Sequence, residues 1–121
     1  MLRSVLFSLA ALTFGVASAS AQAIPTQSQW EGPDHSVLKI LTIDGSATYH
    51  GVFINYAPVC FGSTFDVIGH NTRHGVALQG TSPSCPTAIR WWGRFPTNTF
   101  TTQMTWLAAP PVRGIVSYVR R

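Results

Sequence analysis

Residues 89–108 read IRWWGRFPTNTFTTQMTWLA, and this stretch decides the fold. One side of the first run holds Ile89, Trp91, Gly93 and Phe95, and one side of the second holds Phe100, Thr102, Met104 and Trp106. Alternation with a period of two, interrupted near Pro96, predicts two β-strands joined by a turn. The three tryptophans of this hairpin can either fill a core or form flat walls around a small ligand.

The same alternation recurs along the rest of the chain. Further strands are predicted at residues 36–43, 47–56, 65–70, 75–79 and 114–119, with an opening segment at Trp30. Asp44-Gly45 predicts a two-residue hairpin, and residues 80–86 predict a long loop. Eight short strands joined in sequence predict an all-β, eight-stranded antiparallel up-and-down barrel, because closure removes exposed sheet edges.

The N-terminal stretch predicts export. Residues 1–21 combine Arg3, an apolar run from Val5 to Val16 and a small-residue cleavage site ending at Ala21, which is typical of a secretory signal peptide. Residues 22–121 then form one barrel domain. No later apolar run is long enough to span a bilayer as a helix, so we expect a secreted or periplasmic protein without a membrane partner.

The two cysteines are predicted to pair. Cys60 and Cys85 are the only cysteines in the sequence. An exported chain with a single pair most simply forms one disulfide. Closing a loop of this size contributes about 3 kcal/mol by restricting the unfolded chain.

Several functional classes receive no support from the residues. The net charge is +4, but the basic residues are scattered, so a nucleic-acid partner is not expected. His70 and His74 flank a predicted turn without nearby thiolates or paired carboxylates, so no metal site is expected. There is no Gly-x-Ser-x-Gly segment or paired acid motif, so no catalytic residues are predicted. These observations favour a binding protein over an enzyme.

The presumed inward faces alternate aromatic with small polar residues. Examples are Phe53 with Asn55, Thr87 with Trp91, and Thr102 with Trp106. Rings with a few hydroxyls and an amide suit a compact ligand with an apolar body and a polar head. The same rings would also serve as an ordinary barrel core, and the pattern alone favours that second interpretation.

Spaced motifs in the chain resemble those of the avidin and streptavidin family, in particular its short, dimeric, disulfide-bearing bacterial members. Residues 51–55 (GVFIN) look like the family's Gly-x-Tyr-x-Ser/Asn, residues 67–69 (VIG) like its Leu-Thr-Gly, residues 91–93 (WWG) like its Trp-x-Gly, and residues 101–107 (TTQMTWL) like its Thr-x-Trp-Leu strand. Cys60 and Cys85 fall in the loops where the short members place their bridge.

The resemblance implies an eight-stranded barrel that binds biotin in one end without a cofactor, as a homodimer. It implies ligand-binding roles for Ser36, Phe53, Asn55, Thr87, Trp91 and Trp106. Ser36 would donate to the ureido oxygen, Trp91 and Trp106 would wall the rings, and Thr87 would meet the carboxylate tail. Asn55 would approach the ureido or valeryl region.

Five positions depart from the family pattern. Phe53 replaces a tyrosine donor, Ile89 a hydroxyl, Gly80 a wall tryptophan and Val116 an acceptor in the last strand. The family's asparagine donor aligns with Gly32 or is lost to the insert at residues 31–35. Each lost hydrogen bond weakens binding by about 0.5–1.5 kcal/mol, so biotin affinity is expected to fall. The alternative is a periplasmic small-barrel inhibitor of secreted proteases, which would insert an exposed segment such as residues 23–29 into the enzyme.

Overall fold

The chain folds into a closed barrel of eight antiparallel strands in sequence order, as predicted. The structure is a computed structural model and describes residues 24–121. The strands are β1 (Ser28–Glu31), β2 (Val37–Ile43), β3 (Thr48–Ile54), β4 (Thr64–Asn71), β5 (Val76–Ser82), β6 (Cys85–Gly93), β7 (Thr99–Trp106) and β8 (Val112–Arg120). A single 3-10 turn, Pro33–His35, joins β1 to β2. The predicted signal peptide, residues 1–21, lies outside the described residues.

The barrel closes where the first strand meets the last. β1 pairs with β8 through two residue pairs, Trp30 with Arg120 and Glu31 with Val119. By comparison, β7 pairs with β8 along eight residues. Arg121 extends the closing seam, since its amide donates to the Gln29 carbonyl across 2.8 Å and its guanidinium contacts Glu31.

Alternation places one apolar face of each strand inside the barrel. In the 89–108 hairpin, Ile89, Trp91 and Phe100 are buried, whereas Trp92 on the opposite face is 46% exposed. The interior is filled largely by rings, and its largest fully buried side chains include Trp30, Trp91, Tyr49, Tyr118, Phe53, Phe65 and Phe100. These rings fill the middle of the barrel, and the cavity described below lies at one of its ends.

Ile24 covers the end of the barrel that lies away from the cavity described below. Its side chain is 2% exposed, and its amide donates to the Tyr49 hydroxyl across 2.9 Å. Tyr49 in turn donates to Asn71 Oδ1. The inhibitor alternative needs residues 23–29 to be exposed, but Ile24 is anchored in the core and Ser28 and Gln29 belong to β1.

Two predicted turns differ from the structure. The β2–β3 connection spans residues 44–47, with positive φ at Ala47, because Asp44 Oδ1 accepts from the Ser46 and Thr48 amides and organises a longer turn. The long loop predicted at residues 80–86 is a short turn, because β5 continues to Ser82 and β6 begins at Cys85. Turn-forming serines and prolines here lie within or beside strands.

The predicted disulfide is confirmed. Cys60, in the loop between β3 and β4, is bonded to Cys85 at the start of β6, with 5.7 Å between the Cα atoms. Cys85 is buried and Cys60 is half-buried. The bond therefore ties the β3–β4 loop to the barrel wall beside the open end.

The described part of the chain offers no helix with the length and apolar character needed to cross a membrane. Within residues 24–121, no three His, Cys, Asp or Glu side chains converge in a way that would hold a metal ion.

Candidate functional site

A cavity of about 160 Å³ lies at the end of the barrel formed by the 3-10 turn and the β3–β4 and β7–β8 loops. It is lined by Pro33, Asp34, Ser36, Phe53, Asn55, Ala57, Met104, Trp106, Val116 and Tyr118. Four residues predicted from the sequence, Ser36, Phe53, Asn55 and Trp106, are therefore brought together here. The volume is below the 300–1,000 Å³ typical of drug-sized ligands, so the cavity suits a compact group.

Ser36 presents a hydroxyl at the wall of the cavity. It directly follows the 3-10 turn, is 3% exposed, and accepts a hydrogen bond from the Tyr56 amide across 2.9 Å. Among the residues that the structure describes, nothing accepts the Ser36 hydroxyl hydrogen. A serine hydroxyl has one donor and two acceptor sites, so Ser36 can still donate to a ligand oxygen.

Tyr118 forms part of the cavity's inner wall. It lies on β8, and its hydroxyl accepts from Trp91 Nε1 across 2.9 Å and points its hydrogen toward Met104 Sδ, 3.7 Å away. A thioether is a weak acceptor, so a ligand oxygen would be the better partner for this hydrogen. Burial raises the pKa of the Tyr118 hydroxyl well above its usual range, although the Trp91 hydrogen bond acts in the opposite direction. Tyr118 is therefore a neutral donor at physiological pH.

Two glycines make room for the rings that close the inner end of the cavity. A β-carbon on Gly32 would lie 2.5 Å from the Tyr118 ring, and one on Gly80 would lie 3.1 Å from the Trp91 ring. These are two of the positions at which the sequence departs from the family pattern. The space that larger side chains would need there is occupied by Tyr118 and Trp91.

Phe53 is the centre of an aromatic cluster beneath the cavity. Its ring packs edge-on against Trp91 at a centroid distance of 5.0 Å and against Tyr118 at 6.4 Å. The Phe65 ring lies 6.1 Å from the Phe53 ring and 6.0 Å from the Trp106 ring, measured between ring centroids. Edge-to-face packing of this kind favours one arrangement of the rings, so the inner wall is preformed.

Asn55 lines the cavity, but the adjoining loop uses its amide group. Its Nδ2 donates to the carbonyls of Val59 at 2.6 Å and Cys60 at 3.0 Å, and its Oδ1 accepts from the Ala57 amide at 3.1 Å. The side chain is fully buried. Asn55 therefore holds the β3–β4 loop in place at the rim of the cavity.

The remaining predicted residues lie at different depths. Trp106 is half-buried and lines the cavity directly. Trp91 is 1% exposed and lies behind Phe53 and Tyr118, so it supports the cavity without lining it. Thr87 is half-buried on β6 and is not among the lining residues. The structure thus places one of the two predicted tryptophans at the cavity surface.

The barrel was compared with proteins of known structure and sequence. Short avidin-like proteins match it over most of their length. Apo shwanavidin is 19% identical, with a TM-score of 0.69, and the match covers 81% of this chain and 97% of that chain. Apo bradavidin2 is 26% identical, with a TM-score of 0.67 and coverage of 80% and 98%. The chain has the fold of the short avidins.

A complex of short afifavidin with biotin also matches, at 17% identity, a TM-score of 0.67 and coverage of 87% of this chain and 97% of that chain. No protein-family model and no curated protein sequence matches the chain. The avidin resemblance predicted from spaced motifs is therefore confirmed at the level of the barrel and its disulfide, which connects Cys60 and Cys85.

Six residues that line this avidin-like cavity were missing from the predicted ligand-binding set, namely Pro33, Asp34, Ala57, Met104, Val116 and Tyr118. Met104 and Tyr118 line it, and both fall on inward positions of their strands. The alternation of β7 and β8 identifies those inward positions. It does not indicate which inward residue reaches the cavity, because that depends on where the opposite rings pack.

Proposed function

We propose that this chain is an exported, non-catalytic, avidin-like protein that binds biotin, or a related compact cyclic ligand, in the cavity at the open end of its barrel. One observation carries the proposal. Two hydroxyls, those of Ser36 and Tyr118, border the same cavity as the Trp106 ring. Solved avidin-like structures with this fold include complexes of bradavidin2 and short afifavidin with biotin.

Tyr118 compensates for the missing hydroxyl of Phe53. The two rings lie 6.4 Å apart, and within residues 24–121 the Tyr118 hydroxyl hydrogen has only a thioether as its acceptor. In our proposal, Ser36 and Tyr118 donate to the ureido oxygen, while Trp106 and Met104 pack against the ring system. Asn55 acts through the loop that it holds, Trp91 supports Tyr118, and Thr87 remains a candidate contact for the ligand's tail.

The small cavity favours modest affinity. About 160 Å³ accommodates a compact head group, with the rest of the ligand emerging at the rim. Fewer hydrogen bonds reach the head than the family pattern implies, and each missing bond costs about 0.5–1.5 kcal/mol. We expect a dissociation constant in the micromolar range, since about 1.4 kcal/mol corresponds to a factor of ten.

Calorimetric titration of the purified protein with biotin tests the proposal. The wild type should bind one biotin per chain, Ser36→Ala should bind about two- to tenfold more weakly, and Trp106→Ala should lose most of the heat. The control is Ile68→Ala, which shortens an exposed side chain on β4. Absence of binding by the wild type, or unchanged binding by Trp106→Ala, would refute the proposed site.

A homodimer belongs to the same proposal. The outer face of β6–β8 and the adjoining β7–β8 loop carry exposed apolar side chains, namely Trp92, Leu107, Ile115 and Val119. Contiguous exposed apolar surface is typical of a protein interface, and a twofold dimer would bury the same patch on both chains. Ile115 is 72% exposed. Sedimentation equilibrium should give a dimer for the wild type and for Ile68→Asp, and a monomer for Ile115→Asp.

The export proposal is supported by the disulfide between Cys60 and Cys85, since such bonds persist in oxidising compartments. The inhibitor alternative gains no support, because Ile24 and Ser28, in the segment that would enter a protease, are buried.

A further inference from the structure

Asp34 is the single charged side chain among the residues that line the cavity. It lies in the 3-10 turn at the mouth and has left-handed backbone angles, with φ 59° and ψ 24°. Pro33 precedes it, and His35 follows with φ 61°. The turn therefore places the Asp34 backbone at the rim of the cavity in a defined conformation.

Neighbouring cations do not neutralise Asp34. His35 Nδ1 contacts Glu31 Oε2 at 2.7 Å, and the Arg121 guanidinium contacts Glu31 Oε1. Both groups lower the pKa of Glu31, and the hydrogen bond with His35 is the largest single cause. Within residues 24–121, no hydrogen bond or ion pair involves the Asp34 carboxylate. The mouth of the cavity therefore carries an uncompensated negative charge.

We infer that Asp34 makes the site selective for neutral or cationic ligands over carboxylates. The inference rests on the proposed function. A head group that fills a cavity of about 160 Å³ leaves its tail at the mouth, and in free biotin that tail ends in a carboxylate. Two carboxylates near each other at pH 7 repel. An amide of biotin, as formed with a lysine side chain, carries no such charge.

The expected preference is moderate, because the mouth is exposed to solvent. An interaction between two partly solvated charges changes the affinity by about three- to tenfold at low salt. Ionic strength near 0.5 M screens them, so the preference should shrink there. The neutral amide should bind more tightly than the free acid, and an amide carrying a terminal amine should bind at least as tightly as the neutral form.

The experiment is calorimetric titration with biotin, biotinamide and the ethylenediamine amide of biotin, at 20 mM and 500 mM salt. In Asp34→Asn, the three dissociation constants should converge at low salt. Asparagine tolerates the left-handed conformation, so this variant keeps the turn. The matched control is Asp66→Asn, which removes an exposed carboxylate from β4 and should leave the preference intact.

Each outcome is decisive. Equal affinity of the wild type for all three ligands would overturn the inference while leaving the proposed function in place. A preference that survives in Asp34→Asn, or disappears equally in Asp66→Asn, would also overturn it. Absence of binding by every form of biotin would refute the proposed function and this inference together. Binding of the amides without measurable binding of the acid would support both.

Discussion

The indole N–H of Trp91 donates to the hydroxyl of Tyr118 across 2.9 Å, linking β6 to β8, two strands that share no backbone hydrogen bonds. Both side chains are at most 1% exposed. A buried donor without its acceptor is costly, so this bond fixes the position of the ring that lines the cavity. The geometry of the proposed site therefore depends on a contact inside the core.

Tyr118→Phe should destabilise the barrel by about 1–3 kcal/mol, because the Trp91 N–H would lose its acceptor in a dry environment. The free energy of unfolding in urea measures the effect. Tyr56→Phe is the control, since Tyr56 is 41% exposed. A loss no larger for Tyr118→Phe than for Tyr56→Phe would show that the bond contributes little.

Alkaline pH should destabilise the wild type more steeply than Tyr118→Phe. Burial raises the pKa of Tyr118, so the folded chain keeps a proton that the unfolded chain releases near pH 10. This contribution to stability is complete below about pH 10 and is lost as the pH rises through the folded-state pKa. The difference in slope should approach about 1.4 kcal/mol per pH unit. Unfolding free energies from pH 8 to 11.5 provide the test, and parallel slopes would contradict it.

Gly80→Ala should destabilise the barrel, because the added β-carbon would lie 3.1 Å from the Trp91 ring and 3.3 Å from Phe65 Cβ. Overpacking of this kind typically costs about 1–3 kcal/mol. Gly114→Ala, on β8, is a matched control because nothing lies within 4 Å of its β-carbon. Thermal melts of the two variants check the prediction. Equal melting temperatures would mean that Trp91 can move at no cost.

Asn55→Ala should loosen the β3–β4 loop while the disulfide remains. The loop would lose four side-chain hydrogen bonds, two with Ala57, one with Val59 and one with Cys60. Amide exchange at Gly62, which donates to the Asn55 carbonyl, should accelerate at least tenfold. Asn98→Ala is the control, because that side chain makes no hydrogen bond within the described residues. Unchanged exchange at Gly62 would assign loop rigidity to the disulfide alone.

The barrel was predictable because alternation is local. The inward and outward sides of residues 89–108 follow directly from alternation with a period of two. The same alternation along the rest of the chain gives the number of strands. The prediction of a two-residue hairpin at Asp44-Gly45 was wrong, because the Asp44 side chain accepts hydrogen bonds from amides of the turn and lengthens it. Such side-chain competition with the backbone is difficult to derive from residue type alone.

The cavity was less predictable because it depends on contacts between distant residues. Gly32 gives Tyr118 room to lie over it, and Gly80 does the same for Trp91. The sequence indicated that each of these glycines replaces a side chain that contacts the ligand in the family pattern. It did not show that a ring from another strand occupies the vacated space. Asn55 lines the cavity, yet its amide faces the loop.

The seam between β1 and β8 has a mechanical consequence. Two residue pairs and the contacts of Arg121 hold it, whereas the other strand pairs are held along four to eight residues. Under a pulling force, the barrel should open first between β1 and β8 and become an open, curved sheet, while the other strand pairs stay hydrogen-bonded. The 3-10 turn that contains Asp34 follows β1 directly. A force that separates β1 from β8 should therefore also widen the cavity entrance and release a ligand bound in the proposed site.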